Sequence, residues 1–565
     1  MPVGRSERQP VRSALAVLLL LALMLGPRLP SIGTLGYMQY LWFQRIDHFV
    51  DAVKSGDFAA TFQGPHPGVT LMWILGAGLE LRTWFGGVPD VAGRLWVFEL
   101  MQIVWSTSVM VLLFFALRRT LVTYGTESRR AHWTALLACG LAALNPMFLS
   151  LTQVMSLDGP LAAHVALALC LFLTALRTGA ARDYALAGLA AGLAALTKMS
   201  ALIFVFAMFA CLLMKAARRR GAVGAWSLGS AITFGAVWLL TLFAGWPALW
   251  VSPLATARRI AVTDTQAEQL RHGEFGQLLA DREDQAGLDA ILDVLLHPHR
   301  PGNARVVYGR TTNAWLHYPA VVIFKTPAFS LVLALGGIAA ALAAIRFAPA
   351  DPTLRLVRHL SAWNGWYLLC MSIAAKKTWR YLATGEVLLE LCAGLTLAWL
   401  VAVVVRRYGR GWAAALMLPL GVQVGHILSY QPHFIAYYDP AVGGQAVADE
   451  YLMLYWGEGA GEAARYMRAH ARAQPVRFIS ENFDLSNLLR IMLGEPDFVG
   501  TPADAEFLVI SYREVAMQAM SRGARFYWSS RRPEYVAAIR GVPYAWVYRL
   551  ERGNDVVRAP AAPER

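Results

Sequence analysis

Asp47, Asp158, Lys198, Lys325, Lys376 and Arg380 are the residues of this chain whose types could do chemistry together, because each falls at an end of an apolar stretch. Carboxylates can take or hold protons, and cations can neutralise a developing phosphate leaving group. Gathered on one membrane face, such groups suit a reaction between a lipid-linked, phosphorylated substrate and an acceptor nucleophile. Each residue also has an ordinary reading. Asp47 reads equally as a helix cap or a solvated loop residue, and Asp158, just before Gly159-Pro160, as the cap of the helix that follows. Lys198 can be a snorkelling lysine, and Lys376 with Arg380 an interfacial anchor for lipid headgroups. His66, ahead of Pro67, can simply orient the segment after it. Trp456-Gly457-Glu458-Gly459 reads as a turn that packs a soluble part onto a membrane part.

The elements that must hold these residues are membrane helices. Hydrophobic residues make up 57% of the 565 positions and charged ones 16%, so lipid rather than water is the main solvent. The net charge of +14 would suggest nucleic acid in a soluble protein. Here the basic clusters follow apolar runs, at Arg118/Arg119, Arg129/Arg130, Arg218 to Arg220, and Arg406/Arg407 with Arg410, which is topology and not a nucleic-acid patch. The cysteines at 139, 170, 211, 370 and 392 all lie in apolar runs with no metal or disulfide spacing. The N-terminal Arg5, Arg8 and Arg12 before the stretch 14–26 resemble a signal peptide, but Pro27, Arg28 and Pro30 replace a cleavage site, which predicts an uncleaved first span.

With that N-terminus cytoplasmic, the basic flanks predict about eleven spans and an extracytoplasmic C-terminus. The polar stretch 34–66 is the first outer loop, and residues 69–85 re-enter or lie along the interface. Two short helices meet around Thr197-Lys198-Met199-Ser200. A transmembrane domain over 1–430, with outer loops 34–95 and 247–328, precedes a domain at 431–565, where alternating runs at 476–480, 507–510 and 544–550 predict strands and 462–472 a helix. The fold class is therefore mainly α, a polytopic membrane protein with a small α/β C-terminal domain outside the cytoplasm. No internal repeat is visible.

Motif order adds a resemblance. Asp47-His48, His66-Pro67-Gly68, Asn145-Pro146-Met147-Phe148 leading to Asp158, Leu196-Thr197-Lys198, Tyr318-Pro319 with Lys325-Thr326-Pro327, and Lys376 to Tyr381 occur in an order that resembles the polyprenyl-phosphate-sugar-dependent glycosyltransferases, among them protein O-mannosyltransferases and the lipid A aminoarabinose transferase. Tyr437-Tyr438-Asp439-Pro440, Gly443-Gly444 and Trp456 to Gly459 resemble a bacterial branch of that family for which the acceptor does not follow. The resemblance covers roughly residues 10–470. It implies a C-type glycosyltransferase fold in a bacterial inner membrane, a sugar donor on a polyprenyl phosphate, an extracytoplasmic lipid, glycan or protein acceptor, and inversion at the anomeric carbon. Carried over by position, Asp47 is the acceptor-side base with Asp158 as second carboxylate, and Lys198, Lys376 and Arg380 face the donor phosphate. His48, His66, Lys325, Tyr381 and Glu458 are candidate substrate contacts. Family members often have Asp-Glu where this chain has Asp47-His48, so a divalent metal at that place stays open. A transporter or flippase of polyprenyl-linked lipid is the alternative from another class, and a structural membrane subunit a third.

Overall fold

The computed structural model of the chain describes residues 8–550 except 34–39, 65, 219–221, 260–305, 308–309, 312–316, 348–350, 374–377, 452–454, 495–503 and 517–519. Its first half is a run of helices: α1 (Arg8–Leu25), α2 (Tyr40–Ser55), α3 (Val69–Gly86), α4 (Val91–Thr123), α5 (Ser128–Leu144), α6 (Pro146–Gln153), α7 (Asp158–Thr178), α8 (Ala181–Thr197), α9 (Leu202–Ala217), α10 (Ala222–Gly245) and α11 (Ala248–Val251). A short antiparallel strand pair, β1 (Val306–Val307) and β2 (Arg310–Thr311), comes next among the described residues. Then come α12 (His317–Lys325), α13 (Ala328–Phe347), α14 (Pro352–Ile373), α15 (Ala383–Tyr408) and α16 (Arg410–Leu428).

Helices form on all eleven segments expected to span. Among the described residues, eight helices are long and apolar enough to cross a bilayer by themselves, and the bent pair α5 and α6 makes up to nine. The other two fall short for visible reasons. α8 has 17 residues and begins with Arg182 and Asp183, and α14 carries Arg355, Arg358 and His359. The expected single span at 132–150 is broken by 66° at Asn145. Proline disfavours helical backbone at the residue before it and suits the first position of a new helix, so Asn145-Pro146 ends α5 and starts α6.

The stretch 34–66, read from sequence as a polar loop, holds a helix. Along α2, Phe43, Ile46 and Phe49 fall one helical turn apart and are buried with Leu75, Leu95 and Phe98 of α3 and α4, while Gln44 and His48 face out. The main core lies among α4, α5, α7, α8, α13 and α15. Without a hydrophobic difference between lipid and side chain, membrane helices associate by close packing. Gly188 of α8 shows this: a Cβ there would lie 2.5 Å from the Phe234 carbonyl oxygen of α10.

After α16 the chain leaves the helical bundle. Short helices α17 (Gly444–Tyr451) and α18 (Ala460–His470) lead to a mixed sheet built of β3 (Phe478–Ile479), β4 (Phe507–Ser511), β5 (Tyr535–Ile539) and β6 (Val542–Arg549), in the order β3-β4-β6-β5. Only β3 and β4 run parallel. Its faces carry α18 and α19 (Phe483–Leu493) on one side and, beyond the five-residue α20 (Tyr512–Ala516), α21 (Arg522–Ser530) on the other. The sequence pattern foretold three of these strands and α18. β5 was hidden because its burial alternates over only five residues beside Arg531 and Arg532.

Several contacts hold this α/β part against the helices and against the segment that follows α16. Arg540, in the β5–β6 turn, donates to the Ser429 hydroxyl and lies over the Tyr430 ring at the end of α16. His433 pairs with Glu462 at 2.9 Å. Ile491 of α19 joins the apolar cluster of α2 and α4.

Candidate active site

The site is built where two helix ends meet. Asp158 is the first residue of α7, and Lys198 directly follows the last residue of α8. Helix dipoles favour an anion at an N-terminus and a cation at a C-terminus, so each charge sits at the end that suits it. The Lys198 ammonium lies 2.5 Å from Asp158 Oδ1, and both side chains are almost wholly buried. Gly159 lets α7 start close against α6: a Cβ at that position would stand 2.5 Å from the Leu151 carbonyl oxygen.

A third segment closes the cluster. Thr378 leads into a 3-10 turn, Trp379–Leu382, which brings Arg380 Nε to 3.9 Å from Asp158 Oδ2 with the guanidinium still about one-third exposed. The Tyr381 ring packs between the cations, 3.9 Å from Lys198 Nζ and 5.6 Å from the Arg380 carbon. One buried carboxylate thus faces two cations, and the surplus positive charge sits at the open edge. Such an edge attracts a phosphate, which Arg can grip through several N–H groups.

Beside it lies a third cation, held mostly by carbonyls and rings. Lys325, at the end of α12, donates to the Ile435 and Tyr437 carbonyl oxygens at 2.6 and 2.9 Å, and its ammonium is 3.6 Å from the Tyr438 ring and 5.0 Å from Trp379. Trp456 joins the two groups, edge-on to Trp379 at 6.4 Å and 5.1 Å beneath Arg380. In the turn that carries Trp456, Glu458 folds back to accept the Trp456 N–H at 2.6 Å. Burial raises the Glu458 pKa, against the pull of the backbone N–H groups, Lys325 and His433. Glu458 is thus a buried turn-former beside Lys325, as the packing reading of that motif anticipates.

Asp47 is not brought into this cluster. It lies on α2 and is ion-paired with Arg94 in the first turn of α4. Burial raises its pKa above the ordinary aspartate value, opposed chiefly by Arg94 and, more weakly, by His48. Next to it, His48 is exposed. His66 is half-buried just before α3. Lys376 lies outside the described residues. Among the described residues no three His, Cys, Asp or Glu side chains converge to hold a metal ion.

Sequence reasoning passed over one buried group. Glu386 and Glu390 of α15 are buried, and the Asn145 amide donates to both at 3.2 Å while its oxygen caps α6 through the Phe148 N–H. Thr326 donates to Glu386 at 2.8 Å. Two glutamates four residues apart in an otherwise apolar span were the available signal.

With this geometry in view, the comparisons with known proteins fall into place. Residues 71–246 match the family described as dolichyl-phosphate-mannose-protein mannosyltransferase. That stretch contains Asp158 and Lys198 but neither Asp47 nor Arg380. A comparison with curated protein sequences returns no match. Among solved structures, the Archaeoglobus fulgidus oligosaccharyltransferase tethered with an acceptor peptide aligns at 11% identity and a TM-score of 0.50, over 92% of this chain and 71% of that one. ArnT from Cupriavidus metallidurans bound to undecaprenyl phosphate aligns at 16% identity and a TM-score of 0.42, over 98% and 99% of the two chains. At 11% identity the likeness to the oligosaccharyltransferase is one of fold. The expected C-type glycosyltransferase fold, a multi-pass helical body with a small C-terminal sheet, is the fold observed.

Proposed function

We propose that this chain is an integral-membrane glycosyltransferase that moves a sugar from a polyprenyl-phosphate carrier to an extracytoplasmic acceptor, with inversion at the anomeric carbon. The observation that carries the reading is the convergence of Asp158, Lys198 and Arg380, from three distant segments, into a buried ion pair with a net cationic edge. The family match over 71–246 supports it.

In this reading Lys198 and Arg380, joined by Lys376, hold the donor phosphate, and Asp158 fixes the two cations. The acceptor hydroxyl attacks the anomeric carbon as the bond from that carbon to the phosphate oxygen breaks. The hydroxyl proton passes to Asp47, and the polyprenyl phosphate leaves as an anion toward the cationic edge. His48 and His66 flank the acceptor side, and Tyr381, Lys325 and Glu458 shape the donor side. The N-terminus is cytoplasmic and the α/β part lies outside, in a bacterial inner membrane, with surrounding lipids and the two substrates as partners.

One observation favours the transporter reading: the broken pair α5 and α6 carries Asn145 against the buried Glu386 and Glu390. Polar groups at a helix break also mark transport sites. Purified protein incubated with a panel of radiolabelled polyprenyl-phosphate sugars separates the two. Transfer predicts release of free polyprenyl phosphate together with labelled acceptor. Intact donor moved across proteoliposomes, without carrier release, would make the chain a transporter.

A further inference from the structure

α4 bears on both carboxylates. Near its start Arg94 pairs with Asp47; one turn later Glu99 accepts the Gly33 N–H at 2.6 Å, at the entry to the segment before α2; Gln102 follows. At 1.5 Å per residue, Arg94 and Gln102 are about 12 Å apart along the axis, and eight residues turn them roughly 80° apart around it. Gln102 is fully buried. Its amide nitrogen donates to the Leu151 and Ser156 carbonyl oxygens at 3.0 and 3.2 Å, and also to Val154, while its oxygen accepts the Ser156 N–H at 3.2 Å. The Ser156 hydroxyl in turn accepts the Asp158 N–H at 3.2 Å.

The segment 154–157 leaves α6 without a helical ladder of its own, and in an apolar body its backbone groups need partners. One neutral amide supplies several. Resting on the reading above that Asp158 fixes the donor-phosphate cations, we infer that Gln102 is a positioning residue for Asp158, and that α4 sets the spacing between the donor carboxylate and the acceptor-side Asp47. An amide suits the task because it both donates and accepts at any pH. A carboxylate at the same place would set negative charge against three carbonyl oxygens.

Gln102→Met keeps length and volume and removes every one of these hydrogen bonds. Misplacement of a reacting constellation by about 1 Å costs roughly a hundredfold, so Gln102→Met should lower kcat/KM for the donor by about ten- to a hundredfold while the acceptor KM stays within about twofold. Ser156→Ala, which removes only the last link, should shift the donor parameters in the same direction by less. Ser106→Ala, one turn further along α4, should behave as wild type. A double-mutant cycle gives the decisive reading: on an Asp158→Asn background, Gln102→Met should cost no more than about twofold further. Should Gln102→Met not fold, Ser156→Ala takes its place in the cycle. Additive losses, or donor and acceptor KM moving together, would overturn the positioning role. Wild-type protein that releases no carrier from any donor would sink the function itself, a different outcome.

Discussion

At the scale of single residues, Asp47 is the group whose chemistry the structure shapes most openly. A general base works when ionised, and burial raises this carboxyl while Arg94 holds it down. The acid limb of the transfer rate should therefore lie above the range of an ordinary aspartate. Arg94→Gln removes the opposing charge and should move that limb to still higher pH; single-turnover rates across pH would show it, and a limb that stayed or moved down would count against Asp47. Asp47→Asn should cost about a hundred- to ten-thousandfold in rate, the usual worth of a positioned base, whereas Asp51→Asn, exposed on the same helix, should keep most activity. The motif order made Asp158, Lys198 and Arg380 legible because their types and sequence order are distinctive. Arg94 and Gln102 were not, since a lone polar residue near an apolar helix looks like a flank until its partner, 47 or 54 residues away, is known.

Among the elements, the break between α5 and α6 is the one that reaches furthest. Asn145 caps α6, donates to Glu386 and Glu390, and so fastens α15 to the segment that leads to Asp158. Removing an N-cap costs about 0.5–2 kcal/mol, and taking the Asn145 donor from two buried carboxyl groups adds about 1–3 kcal/mol. Asn145→Ala should therefore lower the thermal midpoint of the purified protein clearly more than Ser31→Ala; equal midpoints would mean that the network contributes little. Gly159→Val should push α7 away from the Leu151 carbonyl and weaken donor binding while α15 stays packed on α5. Hydropathy located most helices, including the two that meet at Lys198. It missed α2, because an amphipathic helix that buries one narrow stripe, Phe43, Ile46, Phe49 and Ala52, has the mean composition of a polar loop.

Over the whole molecule, the helical body and the α/β part share the site: Trp456 lies under Arg380, and Ile491 packs against the helices that carry Asp47 and Arg94. The fold class was readable from composition and charge pattern, while this docking was not, because the packing of α19 against α2 and α4 leaves no periodic trace. The proposed orientation, with the α/β part outside the cytoplasm, predicts that an alkaline phosphatase fused to the C-terminus is active; an inactive fusion beside an active cytoplasmic reporter would invert the topology. The central claim is that Lys198, Arg380 and Asp158 seat a lipid phosphate. Equilibrium binding of polyprenyl phosphate to purified wild-type, Arg380→Gln and Lys54→Met protein tests it most directly, Lys54 being an exposed cation paired with Glu80. Hydrogen bonds to charged groups contribute about 1.5–3 kcal/mol, so Arg380→Gln should weaken binding about ten- to a hundredfold while Lys54→Met binds as wild type. Equal affinity in all three proteins would contradict the account.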